Sequence, residues 1–397
     1  MDAPRHGWLI ANLVGQLALG LLAMTICLPS MQDWGATFGA SQASVQLTFS
    51  GYVAAYGALQ LVYGPLSDRI GRKPVLMLGL ALAGLGSLLA AAAPDLHILT
   101  LARVLQGAGT AAGMVIGRAL VQDFFAGPER TRVMALVGMT MGLVPPTATL
   151  LGGQLHVRFG WQAAFVLLAG LAALLFVAAW KGLPASTAQG SGNARGWREL
   201  VTGYAQLARE PVFVWHVMLL AGTTATFYVF LAGAPIVLGS YGVTPDRLGW
   251  YIMAPPLAYI AGNALTSRLI RVRSEAFLML LGQCVTLASL LLLLAVGLAG
   301  PRSPLALALP LLGLGIGHGL LVPPTIAGTV GVVPALAGAA AAAAGVTQQV
   351  AGSLAGYLVG LVPHEGQVNL ALQMLGWSLS GFVALFALRG ALRRRNA

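Results

Sequence analysis

The sequence predicts an all-α membrane protein of twelve transmembrane helices in two six-helix halves. Three observations carry that prediction. Apolar residues make up 57% of the 397 residues and charged residues only 8%, with a mean hydropathy of +0.82, where a soluble domain carries about 25% charged residues. The apolar residues form continuous runs long enough to cross roughly 30 Å of hydrocarbon, which takes about 20 residues as a helix. The polar residues between those runs are short, basic and unevenly distributed. A membrane β-barrel would alternate apolar and polar residues over segments of about ten, and these runs do not alternate. Inside lipid every backbone polar group must find an internal partner, so each run is read as a helix.

In chain order, the first run, 8–29, begins near Trp8 without a small-residue cleavage site and reads as a span, not a cleaved signal. Runs 45–66 and 74–94 bracket the densest charge in the chain, Gly64-Pro65-Leu66-Ser67-Asp68-Arg69-Ile70-Gly71-Arg72-Lys73-Pro74. Runs 98–121, 131–155 and 161–183 complete the first half. The polar stretch 184–211, rich in Ser, Thr, Gly and Asn before Arg195, is a linker, and Trp197 to Arg209 reads as a short interfacial helix. Runs 212–236, 248–270, 276–299, 304–330, 335–361 and 369–390 form the second half. The expected domains are therefore 1–183, a linker 184–211, and 212–397. Pro and Gly recur within the runs, as neighbouring helices in a membrane bundle allow.

Charge asymmetry sets the expected topology. Of the 22 Lys and Arg residues, Arg103 and Arg118 fall within a run, and Arg158, Arg247 and Arg302 fall on one side. All the others fall on the opposite side, which by the positive-inside rule is cytoplasmic, with both termini and the linker. The net charge of +11 thus reports orientation in the bilayer, with no nucleic-acid partner implied. Cys27 and Cys284 both lie in apolar runs and form no disulfide or metal pattern. No two of the 11 acids lie closer than six residues apart, and none pair within a run. An intramembrane enzyme needs carboxylates for a divalent cation or a nucleophile with its base, and a channel needs a filter loop or charged ring. Neither pattern is present, so the reading is a transporter without enzymatic activity, cofactor or metal.

The loop at Gly64–Lys73 resembles the signature between helices 2 and 3 of the major facilitator superfamily, G-x-L-x-D-R-x-G-R-[KR]. The resemblance implies a gating latch between the halves, carried by Asp68, Arg69 and Arg72, with Gly64 and Gly71 allowing close approach and a tight turn. Asn263 to Arg271 echoes the loop at the equivalent place in the second half, as an internal repeat would.

Leu101-Ala102-Arg103-Val104-Leu105-Gln106-Gly107 resembles the R-x-x-Q-G element of the drug/proton antiporter branch. Its continuation through Gly113–Asp123 is similar to the Bcr/CflA drug-resistance group. An Arg inside a span keeps its charge and must find partners, and the resemblance implies a part in proton coupling for Arg103. Pro145-Pro146-Thr147-Ala148-Thr149 to Gly152-Gly153, with Gly160-Trp161 and Phe165 after it, resembles the antiporter motif of exporters. Thr149 and Gln162 depart from its usual Pro and Arg. Thr25 stands just before Leu28-Pro29, where the Bcr/CflA group often carries an Asp, so the expected proton carriers are Asp33, just beyond, or His318, alone and deep in run 304–330.

Tyr52, Tyr56 and Gln60 fall on one helical stripe. With Gln106, Phe227, Tyr228, Asn263 and Gln348 they are the expected substrate-cavity residues. The resemblance implies proton-coupled efflux of small amphipathic compounds or drugs by a monomer in a bacterial inner membrane. The alternative is uptake or facilitated transport of a small metabolite.

Overall fold

A computed structural model describes residues 3–183 and 197–396, so residues 184–196 of the expected linker lie outside the described residues. All secondary structure in them is helical. The first unit, Met1–Ala194, holds α1 (Ala3–Thr25), α2 (Met31–Phe38), α3 (Gln42–Ile70), α4 (Arg72–Ala91), α5 (Leu96–Phe124), α6 (Gly127–Phe159) and α7 (Gln162–Gly182). The second unit, Arg195–Ala397, holds α8 (Trp197–Ala208), α9 (Pro211–Ser240), α10 (Pro245–Ile252), α11 (Ala254–Leu269), α12 (Glu275–Leu298) and α13 (Pro304–Ala308). It ends with α14 (Leu311–Gly331), a 3-10 turn at Pro334–Leu336, α15 (Ala337–Val359) and α16 (Gln367–Asn396).

Local chemistry sets the helix ends. The Ser41 and Asp95 side chains accept from the backbone N–H groups of Ser44 and Ile98 and cap α3 and α5, and Ser274 caps α12 through Phe277. Gly71, at φ +96°, turns the chain between α3 and α4, a conformation that a β-carbon would strain.

Nine helical segments among the described residues are by themselves long and apolar enough to cross a membrane. The three remaining crossings are α3, the α10–α11 pair and α15. Three runs expected to be unbroken are interrupted. The first ends at Thr25, followed by a turn through Ile26–Ser30 and the short α2. The residue preceding Pro29 is biased away from helical geometry. The eighth breaks at Met253, where Pro255 and Pro256 open α11 without N–H groups to extend α10. The tenth breaks at Leu309-Pro310, between α13 and α14.

The same pairings build each unit. In the first, α5 packs on α3, α4 and α1, α4 on α7, and α1 on α6 and α7. In the second, α14 packs on α11, α12 and α9, α12 on α16, and α9 on α15 and α16. The correspondence follows chain order, helix for helix. Glycine permits these contacts: a β-carbon at Gly109 of α5 would lie 2.3 Å from the Ala83 nitrogen of α4, and one at Gly282 of α12 would lie 2.5 Å from the Gly317 oxygen of α14. Small residues at such crossings are how membrane helices gain packing energy where lipid supplies no hydrophobic drive.

Candidate functional site

In the first unit the deepest charge is Arg103, on α5 and fully buried. Its Nη1 donates to the Ala23 carbonyl of α1 at 2.7 Å and to Oε1 of Gln106, one turn along α5. Gln106 in turn donates to the Ser87 hydroxyl of α4 at 2.7 Å. The guanidinium carbon sits 4.3 Å from the centre of the Tyr52 ring on α3 and 5.9 Å from that of Phe165 on α7. Five helices thus meet at one cation, and no carboxylate neutralises it among the described residues. Its Nε and Nη2 have no hydrogen-bond acceptor among the described residues. Two aromatic faces are what compensates them, at about 2 kcal/mol for a desolvated cation–π contact. An uncompensated buried charge costs several times more.

Tyr52 and Gln106 were expected to line a cavity, but both are committed to this node. The Tyr52 hydroxyl donates to the Gly20 carbonyl at 2.7 Å and lies 2.7 Å from the Thr110 hydroxyl. Tyr56 stacks on Tyr52 at 6.0 Å between ring centres, and Gln60 is half-buried one turn further. Thr25, in place of the acid often found there, turns its hydroxyl back on the Leu21 carbonyl of its own helix at 2.8 Å.

At the basic end of the unit, Arg72 gathers the signature loop. It pairs with Asp68 at 2.6 Å and Asp123 of α5 at 3.4 Å, and donates to the Ser67 hydroxyl at 2.6 Å. Lys73 donates to the Trp180 and Leu183 carbonyls at the end of α7, at 2.6 and 2.8 Å. Arg69 is exposed. Gly71 makes the turn, whereas Gly64 lies inside α3 and a β-carbon there would meet nothing within 4 Å.

The opposite end is reached by α6, which carries two internal prolines. Pro145 and Pro146 stay within the helix, and the Thr149 hydroxyl donates to the Pro145 carbonyl at 2.9 Å. Gly152 presses on the turn after α1, where a β-carbon would lie 1.8 Å from the Ile26 carbonyl oxygen. Gly153 beside it is buried. One turn on, Nε2 of His156 lies 2.8 Å from Oδ2 of Asp33 on α2. Trp34, next to Asp33, stacks on Phe165 at 6.3 Å and meets Trp161 edge-on at 5.9 Å. Phe165 also faces Arg103, so aromatic contacts lead from the Asp33–His156 pair to the buried cation.

Among the described residues, the second unit has no buried charge of this kind. The Tyr228 hydroxyl donates to Gln349 at 2.9 Å, and Thr224 donates to Gln348 at 3.0 Å, joining α9 to α15. Phe227 tilts against Tyr228. His318 is buried on α14, beside the crossing where Gly319 meets the Asn263 backbone of α11.

The structure therefore unites Arg103, Gln106 and Tyr52, and gives Asp33 a partner that the sequence did not reveal. His156 and Trp34 were missed; both sit in or beside apolar runs with nothing local to mark them.

A family model described as Major Facilitator Superfamily matches residues 13–356. Multidrug resistance protein D of Escherichia coli (strain K12) is 28% identical over 94% of each chain. The bicyclomycin resistance protein homolog of Haemophilus influenzae is 27% identical over 66% of this chain and 68% of its own. The crystal structure of a bacterial homolog to the human lysosomal transporter Spinster aligns with a TM-score of 0.74 over 98% of this chain and 96% of that one. At 14% identity it shows a common fold.

Proposed function

This chain belongs to the major facilitator superfamily, and from that premise we propose that it exports small amphipathic compounds, drugs among them, by alternating access driven by a proton gradient. The observation that carries the reading is Arg103, a permanent cation without a counter-ion among the described residues, where α1, α3, α4, α5 and α7 converge. Resistance proteins among its relatives support an outward direction. The charge asymmetry supports an inner-membrane orientation with both termini and the 184–211 linker cytoplasmic.

We assign proton uptake to Asp33 and His156, at the end of the first unit away from the basic loops. Protonation converts the 2.8 Å hydrogen bond into an ion pair and ties α2 to α6. Because Gly152 of α6 presses on the turn that follows α1, that tie is transmitted to the helix whose Ala23 carbonyl holds Arg103. His318 is the competing carrier. Cells expressing the protein should resist bicyclomycin and exclude an amphipathic dye. Asp33→Asn should insert normally but leave dye exclusion unaffected by collapse of the pH gradient, while His318→Gln keeps the wild-type response. Full gradient-dependent exclusion by Asp33→Asn would remove Asp33 from the coupling route.

A further inference from the structure

A cavity of about 470 Å³ opens at the basic end of the second unit, between the start of α9 and the end of α16. One wall is α9, with half-buried Trp215 turned into the space; the other is a face of small residues on α16 centred on Gly390. A β-carbon at Gly390 would meet nothing within 4 Å, so the trough is open along that helix. Arg394 and Arg395 stand at its mouth with Glu210. All three lack an ion-pair partner among the described residues.

The cavity lies where α9 begins, at Pro211, and where α16 runs beyond its apolar stretch, which places it at the headgroup level of a bilayer. It combines two chemistries: an apolar wall with an amphipathic indole, suited to the boundary between hydrocarbon and headgroup, and a pair of guanidinium groups suited to a phosphodiester. A free anion would use only the arginines. We propose that this cavity binds an anionic phospholipid of the phosphatidylglycerol kind. Its phosphate lies on Arg394 and Arg395, its headgroup hydroxyls face Glu210, and an acyl chain runs along Trp215 and Gly390. The site belongs to the second unit alone and does not depend on the direction of transport.

The test uses the full-length protein in vesicles containing lipids with brominated acyl chains, which quench nearby tryptophan. Subtracting the Trp215→Phe signal isolates Trp215. Brominated phosphatidylglycerol should quench it at a mole fraction well below that needed with brominated phosphatidylcholine, roughly thirtyfold lower if each arginine contributes as basic residues do near an anionic surface. Arg394→Gln with Arg395→Gln should abolish the preference, and Arg393→Gln, in the same basic run but outside the cavity, should keep it. Equal quenching by the two lipids would overturn the proposal, as would equal losses in the Arg393 variant. Relief of quenching by millimolar inorganic phosphate would assign the arginines to a free anion and also overturn it.

Discussion

At Arg103, one side chain donates through Nη1 to a carbonyl of α1 and to Gln106 while its planar guanidinium lies on Tyr52. A lysine keeps the charge but has a single point of donation and no plane to stack. Losing one charge-assisted bond of about 1.5–3 kcal/mol predicts that Arg103→Lys slows gradient-driven transport roughly tenfold or more at unchanged membrane abundance. An initial-rate measurement normalised to protein level checks this, and a wild-type rate would reduce Arg103 to an exchangeable cation. Arg103 was legible in the sequence because a permanent charge in an apolar run must find partners within the protein. The Asp33–His156 contact was not, because its partners lie 123 residues apart and only the fold brings α2 to the end of α6. Tyr52 shows the opposite limit: its place on a stripe with Tyr56 and Gln60 was legible, but whether the hydroxyl faces substrate or the Gly20 carbonyl was not.

Among elements, the α3–α4 loop is tied by Arg72 to Asp68 and, less closely, to Asp123. These groups are partly solvated, and exposed pairs contribute about 0.2–1 kcal/mol each. Asp68→Asn should therefore slow transport about two- to fivefold without hindering insertion, as quantitative uptake with a surface-labelling control would show; an unchanged rate would remove the gating role from this loop. A second loop, between α15 and α16, buries His364, whose Nδ1 lies 2.6 Å from the Val362 carbonyl while Nε2 has no partner among the described residues. Burial pushes its pKa down, opposed by the backbone hydrogen bond. The unfolded chain then binds a proton that the folded chain refuses, so this contribution to stability is complete above the unfolded value near 6.5 and is lost as pH falls toward the lower folded value. Thermal melting of the purified protein should lose a few degrees between about pH 7 and 5, and His364→Asn should flatten that dependence; an equal slope in the variant would assign it to other groups. Run lengths made most spans legible, yet the breaks at Met253 and Leu309 were not. Hydropathy runs unbroken across them, and prolines, which elsewhere in this chain stay inside helices, here stand at the breaks.

On the scale of the whole chain, apolar runs and charge asymmetry made the architecture readable, because a bilayer permits few solutions for a chain this apolar. The loop echo at Asn263–Arg271 hinted at an internal repeat; the helix pairings, repeated in order in both units, express it far more strongly. Packing between small residues preserves those pairings even where individual side chains have diverged, so the repeat is visible in contacts and faint in letters. In the proposed function, a proton gradient drives amphipathic compounds out of the cell through this chain. The most direct measurement loads inside-out membrane vesicles with an acidic lumen and follows uptake of an amphipathic dye. Proton-driven export should give accumulation in the lumen that stops when the pH gradient is collapsed, and alkalinisation of the lumen when dye is added. Dye movement indifferent to the gradient, or concentrated only in right-side-out vesicles, would contradict it.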